Sequence, residues 1–282
     1  MQFVRYATDG VPGWGVRRDG EIVPLNGLRE DVTYQQLTDS GFLRVVEDAV
    51  EAAADRAIPT SEARLLAPVP RPGKIVCVGL NYHDHAEEQD EEVPERPLLF
   101  GKADTAVTNP DDPIVHPAEL DEVDYEVELG VVIGRTAKDV SAADARDYVA
   151  GYTAVNDVSG RDAQFADGQF FRGKSYDTFA PMGPTLVPDD RLDPSSLDVA
   201  CRVNGDTKQS SNTEEFIFGV EEVVEYISGV TTLRPGDVIS TGTPGGVGIF
   251  RDPPELLEPG DTVEIEIEGI GTLSNPVVAE RR

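Results

Sequence analysis

The sequence predicts an α+β protein that is mostly β: a large mixed, rolled β-structure follows a small N-terminal α+β segment. The larger, C-terminal part contains nine strand candidates but only three short helix candidates. These elements do not alternate as βαβ units do, which excludes a TIM barrel or a Rossmann fold. The sequence also lacks the glycine-rich nucleotide fingerprints and a G-x-S-x-G elbow, which argues against nucleotide cofactors and serine-hydrolase chemistry.

The predicted elements of the large part follow from short apolar runs bounded by turn residues. The strand candidates are residues 74–79, 97–102, 125–134, 150–157, 184–187, 197–203, 237–241, 261–268 and 271–279. The helix candidates are residues 81–89, 141–149 and 219–228.

The N-terminal segment has its own short pattern. Residues 2–8 are predicted to form a strand, and Asp19-Gly20 is the turn of a predicted hairpin. An amphipathic run from Ser40 to about Ala57 predicts a helix. Three prolines then indicate an extended connector, so we predict a small N-terminal domain over 1–68 and a catalytic domain over 69–282.

The charge of the chain limits its partners. It carries 53 acidic and 24 basic residues, for a formal net charge of −29. Nucleic acid and anionic membrane surfaces both require a basic face, so neither is an expected partner. No apolar run approaches the ~20 residues of a spanning helix and no signal pattern begins the chain, so we expect a cytoplasmic protein.

The basic residues indicate adaptation to salt. The chain has five lysines against nineteen arginines. Abundant acids with few lysines are typical of a halophilic, haloarchaeal-type surface, because concentrated salt screens the self-repulsion of the acids. The alternative is an ordinary acidic protein that does not depend on salt.

Two acidic residues open an apolar strand candidate. Glu126 and Glu128 share one face of that strand because side chains alternate along it. A third carboxylate, Asp157, stands where the next strand candidate ends. Clustered carboxylates need compensation, which Mg²⁺ provides directly, so the three residues are candidate metal ligands. The alternative is a frayed strand end whose acids are hydrated.

Candidate cations lie near this acidic group in the sequence. Arg161 follows the third acid, and Lys174 lies in a glycine-containing turn. In a chain that prefers arginine, that lysine suggests a need for a compact ammonium group, although a random surface lysine is the alternative.

All three histidines lie between residues 83 and 116. His85 and Glu88 are three residues apart on a predicted helix, so the carboxylate can orient the imidazole as a general base for water. The alternative is an acidic surface helix on which a glutamate falls by chance.

A glycine-rich loop follows the strand candidate at residues 237–241. Gly242 opens this loop, and Thr243 adds a hydroxyl group. Such loops bring backbone N–H groups close to anions, which predicts a bound substrate carboxylate. A tight structural turn is the alternative.

Taken in order, five stretches resemble the motifs of the fumarylacetoacetate hydrolase family, and they extend through residues 74–250. The stretches are Asn81-Tyr82-x-Asp84-His85-x-x-Glu88, Glu126-Val127-Glu128-Leu129-Gly130, Asn156-Asp157-x-x-x-Arg161-Asp162-x-Gln164, Arg172-Gly173-Lys174-Ser175-Tyr176-Asp177-Thr178, and Ser240-Thr241-Gly242-Thr243-Pro244-x-Gly246-Val247-Gly248.

The resemblance implies a mixed β-roll catalytic domain, a homodimer, and one Mg²⁺ per subunit, with Mn²⁺ or Ca²⁺ as alternatives. It implies that the three acids bind the metal and that Lys174 and the His85–Glu88 pair are catalytic, on a segment that can close as a lid. The implied substrate-binding residues are Arg161, Gln164, Lys174, Gly242 and Thr243.

The expected function is Mg²⁺-dependent chemistry on a 2-oxo acid. We expect hydrolytic C–C cleavage of an acylpyruvate, because the histidine–glutamate pair can activate water. The alternatives within the family are an oxaloacetate-type decarboxylase, a 2-hydroxyhepta-2,4-diene-1,7-dioate isomerase and a 2-keto-3-deoxy sugar-acid dehydratase. A non-catalytic acidic binding protein with a structural metal is a further alternative, against which the presence of all three acids argues.

Overall fold

The computed structural model describes residues 1–25 and 32–281. Its strands are β1 Gln2–Thr8, β2 Val11–Arg18, β3 Glu21–Pro24, β4 Ile58–Pro59, β5 Arg64–Leu66, β6 Ile75–Gly79, β7 Leu98–Lys102, β8 Val107–Thr108, β9 Ile114–His116, β10 Val123–Asp124, β11 Val127–Ile133, β12 Val149–Asn156, β13 Ser159–Gly160, β14 Ala180–Pro188, β15 Asp198–Val203, β16 Asp206–Asn212, β17 Val238–Ser240, β18 Thr262–Ile267 and β19 Gly271–Ala279. Its α-helices are α1 Ser40–Ala52, α2 His83–Glu88, α3 Arg161–Asp167, α4 Phe171–Lys174 and α5 Val220–Val230.

Short 3₁₀ turns connect several of these elements. They are Gln36–Thr38, Ala54–Arg56, Thr60–Glu62, Asp104–Ala106, Ala142–Tyr148, Asp189–Arg191, Thr213–Glu215 and Gly248–Phe250.

Within the described residues, most strands belong to two mixed sheets. The larger sheet has the order β4-β3-β2-β1-β14-β12-β11-β17-β6-β7, with β5 beside β1 and β8 beside β14. The smaller sheet has the order β16-β15-β18-β19-β9, and β10 and β13 form a separate pair. Most pairs are antiparallel, but β17/β6, β14/β8 and β19/β9 are parallel. The predicted mostly β, mixed fold is therefore confirmed.

The main hydrophobic core lies between the two sheets. Strand β11 is buried along its whole length, as expected for a central strand covered on both faces. Its Leu129 packs in the same cluster as Cys201 of β15 and Ile265 of β18. The core therefore fixes the start of β11, where the candidate metal ligands stand.

The N-terminal strands extend the larger sheet. Phe3 of β1 pairs with Leu186 of β14, so the sheet is continuous across the predicted domain boundary. The predicted hairpin is present, and Asp19 and Gly20 both have positive φ, as a type I′ turn requires. The boundary between residues 68 and 69 stays a prediction.

Two predicted helices differ from the structure. Helix α1 ends at Ala52 rather than near Ala57, because the chain must become extended for Ile58 to pair with Ile22. The candidate at 141–149 is a 3₁₀ turn in which only Ala145 is buried. Without an apolar stripe to pack, a seven-residue α-helix has little to stabilise it.

The nine strand candidates are present, and the sequence patterns missed several shorter strands and two helices. Strand β16 is mostly polar, which hides it from a hydrophobic pattern, and its local signal is the Asn204-Gly205 hairpin turn that precedes it. Helices α3 and α4 have seven and four residues, too few for a periodic pattern to be visible. Among the described residues, no helix has both the length and the apolar character needed to cross a bilayer.

Candidate active site and metal centre

Three buried carboxylates meet at the junction of β11 and β12. These strands are antiparallel neighbours, with Val127 opposite Asn156. Glu126 and Asp157, the next residues outward on each strand, therefore also lie opposite each other. Oxygen atoms of Glu126, Glu128 and Asp157 lie within 4.8 Å of one another. The structure therefore brings together the three acids that the sequence predicts as metal ligands.

Two cations contact Glu126. The Lys174 Nζ atom lies 2.6 Å from Glu126 Oε2 and 2.9 Å from Asp157 Oδ2. The Arg161 Nη2 atom lies 2.7 Å from Glu126 Oε1 and 2.8 Å from Asp124 Oδ2, as close ion contacts rather than well-aligned hydrogen bonds. Both side chains are almost completely buried, so these contacts act in a medium of low polarity.

A third cation, Lys102, stands on the other side of Asp157. Its ammonium group donates to Asp157 Oδ1 and, at 3.1 Å, to the carbonyl oxygen of Val158. It is the last residue of β7 and is fully buried. Sequence reasoning did not assign it a role. The signal was present, however, because it is one of five lysines and ends a strand candidate.

The ionisation of the acids reflects these neighbours. Burial opposes the charge of Glu126, but Lys174 and Arg161 outweigh it and lower its pKa to about 2. The pKa of Glu128 is instead raised well above its usual value, by burial and by the charges of Asp157 and Glu126. Burial also opposes the charge of Lys174, yet the carboxylates of Asp157 and Glu126 raise its pKa.

The residues present fit a hard divalent cation. Glu128 Oε2 accepts hydrogen bonds from Ser240 Oγ at 2.5 Å and from Gly242 N at 3.0 Å. Its Oε1 has no hydrogen-bond partner in the described part of the chain, and the residue lines a cavity. The candidate ligands are all oxygen atoms, and the protein does not balance the charge of Glu128. Such a donor set suits Mg²⁺ or a similar ion.

The charges of the whole group support the same interpretation. Four buried acids, counting Asp124, meet three buried cations. With every group ionised, one negative charge remains, and a divalent ion would make the site positive by one. Such a site would attract an anionic substrate.

The predicted His85–Glu88 pair is formed on helix α2. The His85 Nδ1 atom lies 3.1 Å from Glu88 Oε2, and the imidazole is buried and lines the same cavity as Glu126 and Glu128. The ring of Phe250 lies 6.1 Å from the imidazole, between their centroids. The helix therefore presents an oriented imidazole to the metal centre.

The glycine-rich loop was predicted to bind a substrate carboxylate through its backbone N–H groups, but several of these groups are already bound. Its N–H groups bind carboxylates of the chain itself. Gly242 N donates to Glu128, Gly245 N to Asp84, Gly246 N to Glu88, and Gly248 N to Asp124. The loop thus organises acidic side chains of the site rather than offering these N–H groups to a ligand.

A cavity of about 340 Å³ collects the remaining predicted residues. Gln164 Oε1 accepts from Arg161 Nη1 at 3.1 Å, and Thr243 Oγ1 accepts from Gln209 Nε2 at 2.8 Å. Phenylalanine and leucine side chains also line the cavity. Its polar lining includes His85, Glu126, Glu128, Arg161, Lys174 and Thr243.

Comparison with known proteins decides the family. A family model described as "Fumarylacetoacetate (FAA) hydrolase C-terminal" matches residues 74–278. The chain belongs to the fumarylacetoacetate hydrolase family. A second model, described as "Rv2993c-like, N-terminal", matches residues 1–68.

Several members of this family cover nearly the whole chain. Oxaloacetate tautomerase FAHD2A, mitochondrial, of Bos taurus is 50% identical over 266 residues, which are 92% of this chain and 84% of the relative. A fumarylacetoacetate hydrolase from psychrophilic Exiguobacterium antarcticum is 38% identical, with a TM-score of 0.87 over 99% of this chain and 100% of its own. A 2-hydroxyhepta-2,4-diene-1,7-dioate isomerase from Mycobacterium marinum is also 38% identical, with a TM-score of 0.80 and full coverage of both chains.

These comparisons confirm part of the expectation. The protein is an enzyme of the fumarylacetoacetate hydrolase family with that family's fold. The names of its relatives match the isomerase alternative better than acylpyruvate hydrolysis. They lend no support to a haloarchaeal-type origin, which stays a prediction along with the homodimer and the cytoplasmic location.

Proposed function

We propose that the protein is a metal-dependent isomerase that interconverts the keto and enol forms of a 2-oxo dicarboxylic acid, with oxaloacetate as the first substrate to test. One observation carries the proposal. The buried acids Glu126 and Glu128, which cluster with Asp157, line a cavity together with an oriented imidazole and a buried ammonium group. A relative that is 50% identical over 92% of the chain is named an oxaloacetate tautomerase.

The three acids would hold the metal, with Mg²⁺ as the proposed ion and Mn²⁺ or Ca²⁺ as alternatives. When bound, it would polarise the 2-oxo group and so make the neighbouring C–H bond more acidic. Within the described residues, one Glu128 oxygen has no hydrogen-bond partner and would be open to the metal, whereas the oxygens of Glu126 and Asp157 each also contact a cation. Those contacts fix the two acids in place.

The protein side chains would then move one proton. His85 takes the proton from C3 of the substrate, and Glu88 stabilises the imidazolium that forms. Lys174 supplies positive charge beside the developing oxyanion. The same imidazolium returns its proton to the oxygen, so one C–H bond breaks, one O–H bond forms, and no atom leaves the substrate.

Hydrolysis of an acylpyruvate is the second candidate. The observation that favours it is the apolar part of the cavity lining, which includes Leu98, Phe100 and Phe170. These side chains would suit an apolar group that oxaloacetate lacks. In this case His85 would take a proton from water, and the water would attack the distal carbonyl.

A substrate panel with Mg²⁺ and KCl separates these functions. Ultraviolet absorbance follows enol-oxaloacetate, a coupled assay follows pyruvate from decarboxylation, and product analysis follows acetylpyruvate cleavage. We expect faster equilibration of the two oxaloacetate tautomers, lost with EDTA and restored by Mg²⁺. Acylpyruvate cleavage without tautomerisation would replace the proposal by its second candidate, and equal tautomerisation in EDTA would contradict the metal requirement.

Replacement of His85 tests the proposed base. We expect His85→Asn to lower kcat by about 10²- to 10⁴-fold, the usual contribution of general base catalysis. Calorimetric Mg²⁺ affinity should stay the same, because the imidazole is not among the three predicted ligands. His83→Asn is the matched control, since His83 is exposed on the same helix and should tolerate the change. Full activity in the His85 variant would contradict the assignment.

A further inference from the structure

The second nitrogen of His85 has a partner that the proposed function leaves unused. The Gln89 Nε2 atom lies 2.8 Å from His85 Nε2, four residues along the chain at the end of helix α2. The backbone N–H of Gln89 also bonds to the His85 carbonyl oxygen, at 3.3 Å. Asp90 follows with a φ of 53°, which turns the chain away from the helix. The Gln89 amide therefore lies against the Nε2 atom of the imidazole.

The two contacts of the imidazole together select one tautomer. A neutral imidazole has one N–H donor and one acceptor nitrogen. An ionised Glu88 only accepts, so the Nδ1 atom beside it carries the hydrogen. Nε2 is then the acceptor, and the Gln89 amide N–H fills its lone pair. This arrangement aligns the ring, and the Gln89 amide must move away from Nε2 before that nitrogen can take a proton.

We infer that Gln89 is a positioning residue for His85: its amide holds Nε2 in the substrate-free protein and gives up this contact when Nε2 takes the substrate proton. A side-chain amide suits this task because its N–H donates to an acceptor nitrogen without adding a charge. The inference rests on the proposed function, in which His85 is the base.

The charged surroundings of the imidazole come from several elements. Glu88 lies on the same helix, and Glu91 lines the cavity just beyond it. Across the cavity, Glu126 is close enough for its charge to interact with the imidazole, together with Glu128, Arg161 and Lys174. Gln89 is the neutral polar group that contacts Nε2 directly, so its replacement changes the imidazole without altering the metal ligands.

Two replacements separate positioning from a structural role. Gln89→Met keeps the length of the side chain but removes the amide, and Gln89→Glu puts a carboxylate on Nε2. Imidazole ¹⁵N NMR of the substrate-free protein reads the His85 contact directly, without any activity. The pH dependence of kcat on oxaloacetate is the second measurement. Glu87→Gln is the matched control, because Glu87 is exposed on the same helix and does not line this cavity.

We expect Gln89→Met to move the Nε2 resonance downfield, as loss of a donor does, and to lower kcat by about 2- to 10-fold, the value of one neutral hydrogen bond. We expect Gln89→Glu to shift the His85 titration and the acidic limb of the rate profile upward by about one pH unit or more. The control should do neither. An unchanged ¹⁵N spectrum and titration in both variants would overturn the inference, even if both lost activity.

The NMR result also separates this inference from the proposed function. If no protein, including the unmodified chain, acts on oxaloacetate while both ¹⁵N shifts appear, the proposed function fails and the contact stands. If the unmodified chain is active and the ¹⁵N signals do not respond, only the role of Gln89 fails.

Discussion

At the scale of single residues, the three acids of the metal centre differ in the groups that contact them. Glu126 and Asp157 are each flanked by buried cations, whereas Glu128, among the described residues, has a hydroxyl and a backbone N–H donor on one oxygen only. Its pKa is therefore raised while that of Glu126 is lowered to about 2. We conclude that Glu128 is the acid whose charge a metal ion would chiefly compensate.

Glu128→Gln should abolish Mg²⁺ binding and activity while the protein stays folded. The amide has the same shape and can still accept from Ser240 and Gly242 through its oxygen. It removes an anion that burial already disfavours, so thermal stability of the metal-free protein should not fall. Calorimetry with Mg²⁺ and thermal unfolding measure the two effects.

The matched control is Asp237→Asn, a buried acid paired with Lys74 away from the site. It should lower the melting temperature because it leaves a lysine without its charge partner, yet retain Mg²⁺ binding. Mg²⁺ binding by Glu128→Gln at the affinity of the unmodified protein would refute the assignment of that ligand.

The raised pKa of Glu128 makes metal binding depend on pH. A protonated carboxyl group is a poor ligand, so its proton must leave as the metal binds. Apparent Mg²⁺ affinity should therefore rise as pH increases toward the raised pKa, and protons should be released. Calorimetry in buffers of different ionisation enthalpy counts these protons. Binding enthalpies that do not vary with the buffer would contradict the expectation.

At the scale of elements, the glycine-rich loop after β17 connects the metal centre to helix α2. Its N–H groups bind Glu128 of the centre and Glu88 of the histidine pair. They also bind Asp84 at the start of α2, whose other oxygen accepts from Ser211 Oγ at 2.6 Å. The position of the base relative to the metal ligands is thus set by one loop.

Gly246→Ala tests this role of the loop. Gly246 has a φ of 99°, and a Cβ there would lie 2.3 Å from the carbonyl oxygen of Lys208. The backbone must shift, which should break its bond to Glu88 and lower kcat by about 10-fold or more at a strain cost of about 1–3 kcal/mol. Mg²⁺ affinity should change less than kcat.

Gly229→Ala provides the comparison for that experiment. Gly229 lies in α5, and a Cβ there would meet no atom within 4 Å. The helix should gain stability of up to about 1 kcal/mol with unchanged activity. Equal kinetics for the two alanine variants would show that the loop does not position the base.

At the scale of the whole molecule, buried charges are nearly balanced, whereas the chain as a whole has a large negative excess. The buried acids of the site are matched by lysine and arginine almost one for one, while the chain as a whole carries −29. The excess must therefore lie mostly at the surface, where salt screens it. The interior pairs are shielded from salt by burial.

The melting temperature should rise between low and molar KCl because screening relieves repulsion among surface acids. Sucrose at equal osmolality is the control for changes in water activity alone. A melting temperature that does not respond to KCl, or responds equally to sucrose, would favour an ordinary acidic protein.

The sequence alone predicted much of the architecture. Long apolar strands such as β11 and β12 are visible because every residue is buried, and the Asp19-Gly20 turn has a local conformational cause. Elements without a clear hydrophobic pattern were missed or misjudged. Polar β16 and the end of α1 are decided by the strands that they pair with or lead into.

The same division applies to the site. The identities of the three acids, of Lys174 and of the His85–Glu88 pair could be predicted, because their residue types and order carry the chemistry. Gln89 and the internal use of the loop N–H groups could not, since each depends on contacts between segments far apart or on how a helix ends. For Lys102, the residue type and its place at a strand end are visible in the sequence, but its partner Asp157 is not. Residue chemistry is a local property, whereas the partner of each charge is fixed only when the chain has folded.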